Sequence, residues 1–479
     1  MQKKFLSSLL LLLFLNLLIK PLWIFGIDLS VQNRVGASEY GLYSAIFSFT
    51  LIFNIILDLG LTHYNNQAIA RKPSEIASNF SRLTSLKLFL GVVYFLVALV
   101  LGWLLGYTSD AFSLLLILVL NQMLASFLLF LRSHLAGLHL FKTDSVISVS
   151  DKLLMIISCG ILLFTDVLSV PFTVWHFAMA QFFSYLLVAI VAFILVFRKA
   201  RIFVWRLNMK EFRENLRLSS PYAILILLMA LYTRVDSVML EQISGPFENG
   251  VYAQAFRLLD AVNQLGYLFS VLLLPIFSGM FARKEDVKDL VRLAFSLIFV
   301  ATMAIGLGGL FAAPGIMDAL YTEHSELSAP VFSLLIISSI AFGSTYVFGT
   351  LLTARGDLRT LNLIAVGGFA LNILLNFILI PKNGAVGAAT ATLATQFLTA
   401  FLQLYYSLRL IKISFASSFW RRMAAFTIVS AGMTWTIHFM DWDWLLILFI
   451  NLAVVTLLAL LFRLLNLRAA IDLLVARFR

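Results

Sequence analysis

The chain has 479 residues, of which 61% are hydrophobic and 12% are charged, and its mean hydropathy is +0.97. Soluble domains contain roughly 45–50% apolar residues, so the composition excludes a soluble enzyme and indicates an integral membrane protein. The formal net charge is +11, but the sequence contains no folded basic domain, which argues against nucleic acid as a partner. Backbone polar groups inside a bilayer must be bonded internally, so the long apolar runs predict an all-α membrane fold.

About fourteen apolar runs are long enough to be transmembrane helices. The first run, which begins KKFLSSLL, lacks a small-residue cleavage site and continues through Lys20 and Pro21, so we interpret it as a helix and not as a signal peptide. Short turns such as GYTSDA (106–111) and IPKNGA (380–385) are typical of helical hairpins. The predicted spans are 6–30, 40–62, 83–106, 111–131, 146–165, 172–197, 218–241, 252–281, 290–313, 328–352, 360–380, 384–408, 423–440 and 444–463.

Basic residues predict how these helices are oriented. Lysine and arginine concentrate in alternate loops and near both ends of the chain, whereas the remaining loops contain only Arg34 and Lys382. This asymmetry follows the positive-inside rule, so both termini are predicted to be cytoplasmic and the number of helices to be even. The net charge is then mainly a consequence of topology, with a lesser contribution from attraction to anionic membrane lipids.

One short motif occurs twice, as GASEYGLY (36–43) and as GPFENGVY (245–252). Glycine at a sharp turn permits positive φ. Both copies fall in predicted outer turns, and an even number of helices separates them, which predicts two repeats of the same orientation. The alignment pairs Glu39 with Glu248, Gly41 with Gly250, Tyr43 with Tyr252 and Asn54 with Asn263.

The repeat predicts the domain organisation. An N-terminal six-helix lobe (1–197) and a C-terminal six-helix lobe (218–408) are joined by a basic cytoplasmic linker (198–217). Apolar residues interspersed among the basic ones predict that the linker is a helix on the inner membrane surface. Residues 409–479 add two further transmembrane helices and a basic cytoplasmic tail. Two such lobes are typical of transporters with a pathway between them.

Three motifs carry a family resemblance. VGASEYGLY (35–43) is followed by a helix that ends in LDLGL (57–61), and a long late block runs from Leu351 to Gln396. In their order and spacing they resemble the Wzx-type oligosaccharide flippases of the MOP transporter superfamily, which also includes the lipid II flippases and the MATE exporters. The resemblance implies a non-enzymatic protein of the bacterial plasma (inner) membrane. It would move undecaprenyl-pyrophosphate-linked oligosaccharide repeat units to the outer leaflet by alternating access. A surface-polysaccharide polymerase and its chain-length machinery would then use them.

Ionisable residues inside membrane helices are costly and are therefore functional candidates. Lys20 lies near the middle of the first predicted helix, and Asn16 lies one turn earlier on the same face. We predict that this pair faces a polar cavity and contacts the substrate. The alternative is that Lys20 snorkels to the membrane surface or makes a structural hydrogen bond.

Two arginines are predicted in the outer half of the membrane, Arg234 in the seventh helix and Arg257 in the eighth. A guanidinium binds phosphate well because its donors match two oxygens at once, so both are candidate pyrophosphate ligands. The alternative is internal pairing, with Asp260 three residues after Arg257 and Asp236 across the hairpin. Those two carboxylates are also candidate gating or ion-coupling residues.

Asp58 is a third candidate gating or ion-coupling residue. It lies near the predicted cytoplasmic end of the second helix, with Asn54 one turn earlier. The sequence contains no GxxxxGK[ST] phosphate loop and no HExxH motif. The single cysteine, Cys159, cannot form an internal disulfide. We therefore predict neither a cofactor nor a metal site.

Two alternative functions remain open. A MATE-like cation-coupled exporter of small molecules would be expected to carry mainly acidic charge in mid-membrane, whereas Lys20 and the arginines favour an anionic ligand. A membrane polymerase or ligase of lipid-linked sugars would have similar hydropathy, but a large outer loop is expected in such an enzyme. The predicted outer loops are all short, the longest having about 15 residues.

Overall fold

The computed structural model describes residues 18–71, 76–167, 169–201, 203–205, 209–440 and 442–465. The chain divides into two compact units, Met1–Glu241 and Gln242–Arg479. This division does not test the predicted linker at 198–217, and the predicted domain boundaries stay a prediction. Each unit is described below by itself.

The described residues are helical almost throughout and contain no strand, which confirms the predicted all-α class. The helices are α1 (Leu22–Asp28), α2 (Leu29–Ile52), α3 (Ile55–Asp58), α4 (Leu61–Arg71), α5 (Ile76–Leu104), α6 (Ser109–Gly137), α7 (Phe141–Phe164), α8 (Val174–Ala200), α9 (Met209–Ser244), α10 (Pro246–Ala282), α11 (Lys288–Leu320), α12 (Ser325–Arg355), α13 (Leu358–Ile411), α14 (Ser417–His438) and α15 (Trp444–Leu461).

Within the described parts of the chain, nine helices are long and apolar enough to cross a membrane. The longest, α13, has 54 residues and contains the predicted spans 360–380 and 384–408. These two spans meet at Gly384, whose φ of +50° and ψ of −128° interrupt the helical geometry. The short predicted turn is therefore a single glycine kink.

The first described helix, α1, is π-helical. The Leu29 N–H donates to the carbonyl oxygen of Ile24, five residues earlier. Such turns are rare and occur frequently at functional sites. The helix ends at Asp28, which is fully buried. Its carboxylate accepts hydrogen bonds from Gln32 Nε2 at 3.2 Å and from the Tyr40 hydroxyl at 3.1 Å.

The second predicted span, 40–62, is broken into pieces. The chain leaves helical geometry after α2 and again between α3 and α4, where Leu59 has φ +43° and Gly60 has φ +84°. Asp58, which was predicted near the end of this helix, lies at the second break. The helix resumes as α4 and continues to Arg71. Positive φ is unfavourable for leucine, so surrounding contacts must hold this break in place.

The first copy of the repeated motif forms a sharp turn. Gly36 has φ +78° and ψ 170°, a conformation that is essentially limited to glycine. Glu39 Oε1 accepts a hydrogen bond of 2.8 Å from the N–H of Val174, the first residue of α8. Further along α8, Gln181 Nε2 donates to the Tyr43 hydroxyl at 2.9 Å. A carboxylate at this position satisfies an orphan donor and complements the helix dipole.

The second copy repeats this arrangement in the second unit. Gly245 has φ +91° and ψ 170°. Glu248 Oε2 accepts a hydrogen bond of 2.8 Å from the N–H of Ala385, directly after the kink in α13. The hydroxyls of Tyr252 and Thr392 share a hydrogen bond of 3.4 Å. The repeated sequence is thus a repeated structure, in which a glycine turn places a glutamate on the N-terminal end of a later helix.

The last two helices are anchored in the second unit by one buried amide. Asn451 Nδ2, on α15, donates to the carbonyl oxygen of Ala304 on α11 at 2.9 Å. The Thr434 hydroxyl, on α14, donates to Asn451 Oδ1 at 2.6 Å. A methyl group on Gly308 would lie 2.8 Å from Asn451 Nδ2, so glycine permits the close approach of α11 and α15.

The described part of the predicted linker is not a separate surface helix. Residues 203–205 are non-helical, and α9 begins at Met209 and continues without a break to Ser244. The Val204 N–H donates to the Ser81 hydroxyl on α5 at 3.1 Å. This segment is therefore tied to the helix bundle of the first unit.

Candidate functional site

Lys152 on α7 lies between two aromatic rings. Its Nζ atom is 5.4 Å from the ring centroid of Trp23 on α1 and 5.1 Å from that of Tyr185 on α8. The ammonium donates to the Tyr185 hydroxyl at 3.1 Å and pairs with Asp151 Oδ2 at 3.4 Å. Ring faces attract cations. Three helices thus hold a cation at a defined position, while 26% of the Lys152 side chain remains exposed.

Two further cations, Lys20 and Arg132, occur in this part of the first unit. Lys20, in the helical residues before α1, is exposed and lies within electrostatic reach of Lys152, Arg132 and Asp151. Arg132 on α6 pairs through Nε with Asp144 Oδ1 at 2.8 Å. We call these three cations and two carboxylates the cation cluster, and their formal charges of +3 and −2 leave a net charge of +1.

The cation cluster suits an anionic ligand. Like charges repel one another, and an unpaired positive charge at membrane depth is unfavourable. Among the described residues, Lys20 forms no ion pair, whereas Arg132 and Lys152 each have a carboxylate partner. A phosphate group bound beside Lys20 would offset the excess positive charge. The predicted partner of Lys20, Asn16, lies outside the described residues, and the substrate role of both residues stays a prediction.

A third ion pair in the first unit is partly enclosed. Lys87 Nζ on α5 lies 3.1 Å from Asp58 Oδ1 and donates to the Ser126 hydroxyl on α6 at 2.8 Å. The Lys87 side chain is 3% exposed and that of Asp58 is 33% exposed. The Thr62 N–H and hydroxyl both donate to the same Asp58 oxygen. The pair therefore connects the break between α3 and α4 to α5 and α6, and a gating or ion-coupling role for Asp58 stays a prediction.

The remaining predicted residues lie on two helices. Arg234 and Asp236 lie on α9 in the first unit, and Arg257 and Asp260 lie on α10 in the second. Asp236 is 2% exposed, whereas the other three side chains are half-buried. Their proposed phosphate-binding and ion-coupling roles are untested by this geometry and stay predictions.

Five charged residues described above are not among the predicted site residues. Arg132 and Asp144 lie between predicted spans, whereas Lys87, Asp151 and Lys152 lie within them. The sequence nevertheless carries a signal for the last three, because Lys87 lies inside the predicted span 83–106 and the other two lie inside 146–165. An ionisable residue inside a membrane helix is a functional candidate by default. Their partners depend on how distant helices pack, which no local pattern reveals.

The chain is similar to polysaccharide biosynthesis proteins and to proteins named as a flippase and as a multidrug resistance protein. A family model described as polysaccharide biosynthesis protein matches residues 8–281. The chain is 30% identical to the lipid III flippase of Escherichia coli (strain K12) over 152 residues, which are 31% of this chain and 36% of that protein. It is 32% identical to the probable multidrug resistance protein NorM of Bacillus cereus over 121 residues, which are 24% of this chain and 27% of that protein. The matches thus span about a third or less of these relatives.

The fold is similar to a solved structure of the lipid II flippase MurJ in an inward closed conformation. The TM-score is 0.71, and the likeness covers 95% of this chain and 99% of that one. The sequences are 14% identical, so this likeness speaks to the fold alone.

Proposed function

Because this chain belongs to the polysaccharide biosynthesis protein family and to the MOP superfamily, we propose that it is a flippase for undecaprenyl-pyrophosphate-linked oligosaccharide repeat units. It moves them from the inner to the outer leaflet of the bacterial plasma membrane by alternating access. The product then serves a polysaccharide polymerase and its chain-length machinery. The similarity to the lipid III flippase supports a lipid-linked substrate.

The cation cluster is the observation that carries this proposal. A pyrophosphate headgroup would otherwise bring unpaired negative charge into hydrocarbon, where burial of an ion is very unfavourable. Ammonium and guanidinium groups form strong, charge-assisted hydrogen bonds to phosphate oxygens. Lys20 and Arg132 supply both kinds of donor within one unit. These groups thus offer the headgroup a counter-charge.

A cation-coupled exporter of small molecules is the second candidate, and the match to NorM supports it. The net charge of the cation cluster favours an anionic cargo over a cationic one. Measurements of drug resistance and of surface polysaccharide separate the two functions. An exporter of cationic drugs would confer drug resistance and leave surface polysaccharide unchanged.

Lys20→Ala and Arg234→Ala should each reduce export of surface polysaccharide about tenfold, as expected for the loss of a charge-assisted hydrogen bond to the headgroup. Arg234→Lys should retain part of the activity, since the charge remains but the two-pronged donor is lost. Lys20→Glu should abolish export. The measurement is the amount of lipid-linked oligosaccharide on the inner leaflet, normalised to the abundance of the protein in the membrane.

Lys284→Ala is the matched control, because Lys284 is an exposed residue of the turn between α10 and α11 and should export like wild type. Wild-type export by both alanine variants would contradict the proposed site. If protein abundance instead falls in step with export, the residues are structural.

Reporter fusions test the proposed inner-membrane topology. Fusions after Arg213, Lys284 and Arg422 should report the cytoplasm, because basic residues accumulate in these loops. Fusions near Glu248 and Glu323 should report the outside. An outside signal after Arg213 would contradict the proposed orientation of both repeats.

A further inference from the structure

Two lysines of the first unit have contrasting environments. Lys87 is 3% exposed, and its ammonium is bonded to a carboxylate at 3.1 Å and to the Ser126 hydroxyl at 2.8 Å. Lys152 is 26% exposed, and its nearest carboxylate oxygen, on Asp151, is 3.4 Å away. A well-formed charge-assisted hydrogen bond is about 2.7–2.9 Å long. The carboxylate contacts of both lysines are longer than this, and that of Lys152 is the longer of the two and leaves its side chain more exposed.

The other contacts of Lys152 are weak, so an anion can replace them. An ammonium has three donors. Besides Asp151, the donors of Lys152 meet the neutral Tyr185 hydroxyl at 3.1 Å and Met155 Sδ, a weak acceptor, at 3.8 Å. The rings of Trp23 and Tyr185 fix its position. A positioned cation of this kind needs little reordering to bind an anion.

We propose that Lys152 is a further substrate-binding residue of the transport site and that Asp151 is its internal counter-ion, which the anionic headgroup displaces. This role rests on the proposed function. Asp151 is 12% exposed and pairs with Lys152 while the site is empty, so that the charge of Lys152 is not left without a partner. The carboxylate competes with the substrate, which lowers the affinity and assists release of the headgroup.

Competition predicts opposite effects for two neighbouring substitutions. Lys152→Gln removes the positive charge and should weaken anion binding about tenfold. Asp151→Asn removes the competitor with little change in shape and should tighten binding about threefold or more, while transport becomes slower because release is slower. If the two residues served packing alone, the substitutions would not weaken anion binding in one variant and tighten it in the other.

The experiment uses the purified full-length chain in nanodiscs. Inorganic pyrophosphate is titrated into wild type, Lys152→Gln, Lys152→Arg, Asp151→Asn and the control Lys284→Gln by calorimetry at low ionic strength, where charge interactions are least screened. Lys152→Arg should bind within about threefold of wild type because it keeps the charge. Lys284→Gln should bind like wild type, and unchanged melting temperatures show that the variants are folded.

The outcomes separate the two levels of the proposal. If wild type does not bind pyrophosphate, the proposed function and the role of Lys152 both fail. If wild type binds but Lys152→Gln binds equally well, or Asp151→Asn binds no tighter, only the role of Lys152 and its counter-ion is overturned. Weaker binding by Lys152→Gln together with tighter binding by Asp151→Asn supports it.

Discussion

Replacing Asp58 with alanine will lower the free energy of unfolding by about 3–5 kcal/mol, because the substitution leaves a buried ammonium without its charged partner. Lys87 Nζ lies 3.1 Å from Asp58 Oδ1, and only 3% of the Lys87 side chain is exposed. The remaining hydrogen bond to the Ser126 hydroxyl cannot neutralise the charge. Because 33% of Asp58 is exposed, water can enter after the substitution and the effect should lie toward the lower end. Thermal unfolding of the purified protein in detergent measures it.

Two further variants distinguish the loss of the charged partner of Lys87 from a general disturbance of the fold. Lys87→Met leaves a partly exposed Asp58 that still accepts hydrogen bonds from Thr62, so it should cost about 1 kcal/mol or less. The double variant Asp58→Ala/Lys87→Met removes both charges and should recover most of the stability. If Asp58→Ala alone unfolds like wild type, the ion pair does not stabilise the break in the second span.

The second large effect is expected for Gly384→Ala. The φ of +50° and ψ of −128° at Gly384 are strained for any residue with a side chain, which costs about 1–3 kcal/mol. The new methyl group would also overlap Glu248 Oε2. It would displace the carboxylate that accepts the hydrogen bond from the Ala385 N–H. We expect a total loss of about 3 kcal/mol or more, measured as a lower unfolding temperature.

Gly367→Ala is the matched control for this substitution. Gly367 lies in the same helix, and a methyl group there would have no atom within 4 Å. Alanine is favoured over glycine inside a helix by about 0.5–1 kcal/mol, so this variant should be as stable as wild type or more stable. Equal unfolding temperatures for the two variants would show that the kink does not require glycine.

The helices could be predicted well from the sequence because the membrane imposes a length and a polarity on each segment. The predicted span 444–463 corresponds to Trp444–Leu461, and the span 172–197 corresponds to Val174–Ala200. The paired turns could also be predicted, because a glycine conformation and the glutamate three residues later are local features. The breaks beside Asp58 could not, since Leu59 has no intrinsic preference for positive φ.

The site was less predictable because its contacts join distant parts of the chain. Lys87 and Asp58 are 29 positions apart, and Lys152 and Tyr185 are 33 positions apart. The partner of Glu39 is 135 positions away, so the motif revealed the turn but not the helix whose end it completes. Lys20 was identified because it interrupts an apolar run. Lys152 interrupts one as well, but the aromatic rings around it come from two other helices.

The π-helical turn of α1 fixes the direction in which Lys20 points. A π turn contains about one residue more than an α turn, and such turns behave as single-residue insertions in an α-helix. If residues 22–28 adopted regular α-helical bonding with no residue removed, the extra residue would rotate the residues before α1, including Lys20, by about 100° relative to α2. Lys20 would then turn away from Lys152 and Arg132. A change in the hydrogen bonding of this one turn, with every charged side chain retained, would therefore take the cation cluster apart.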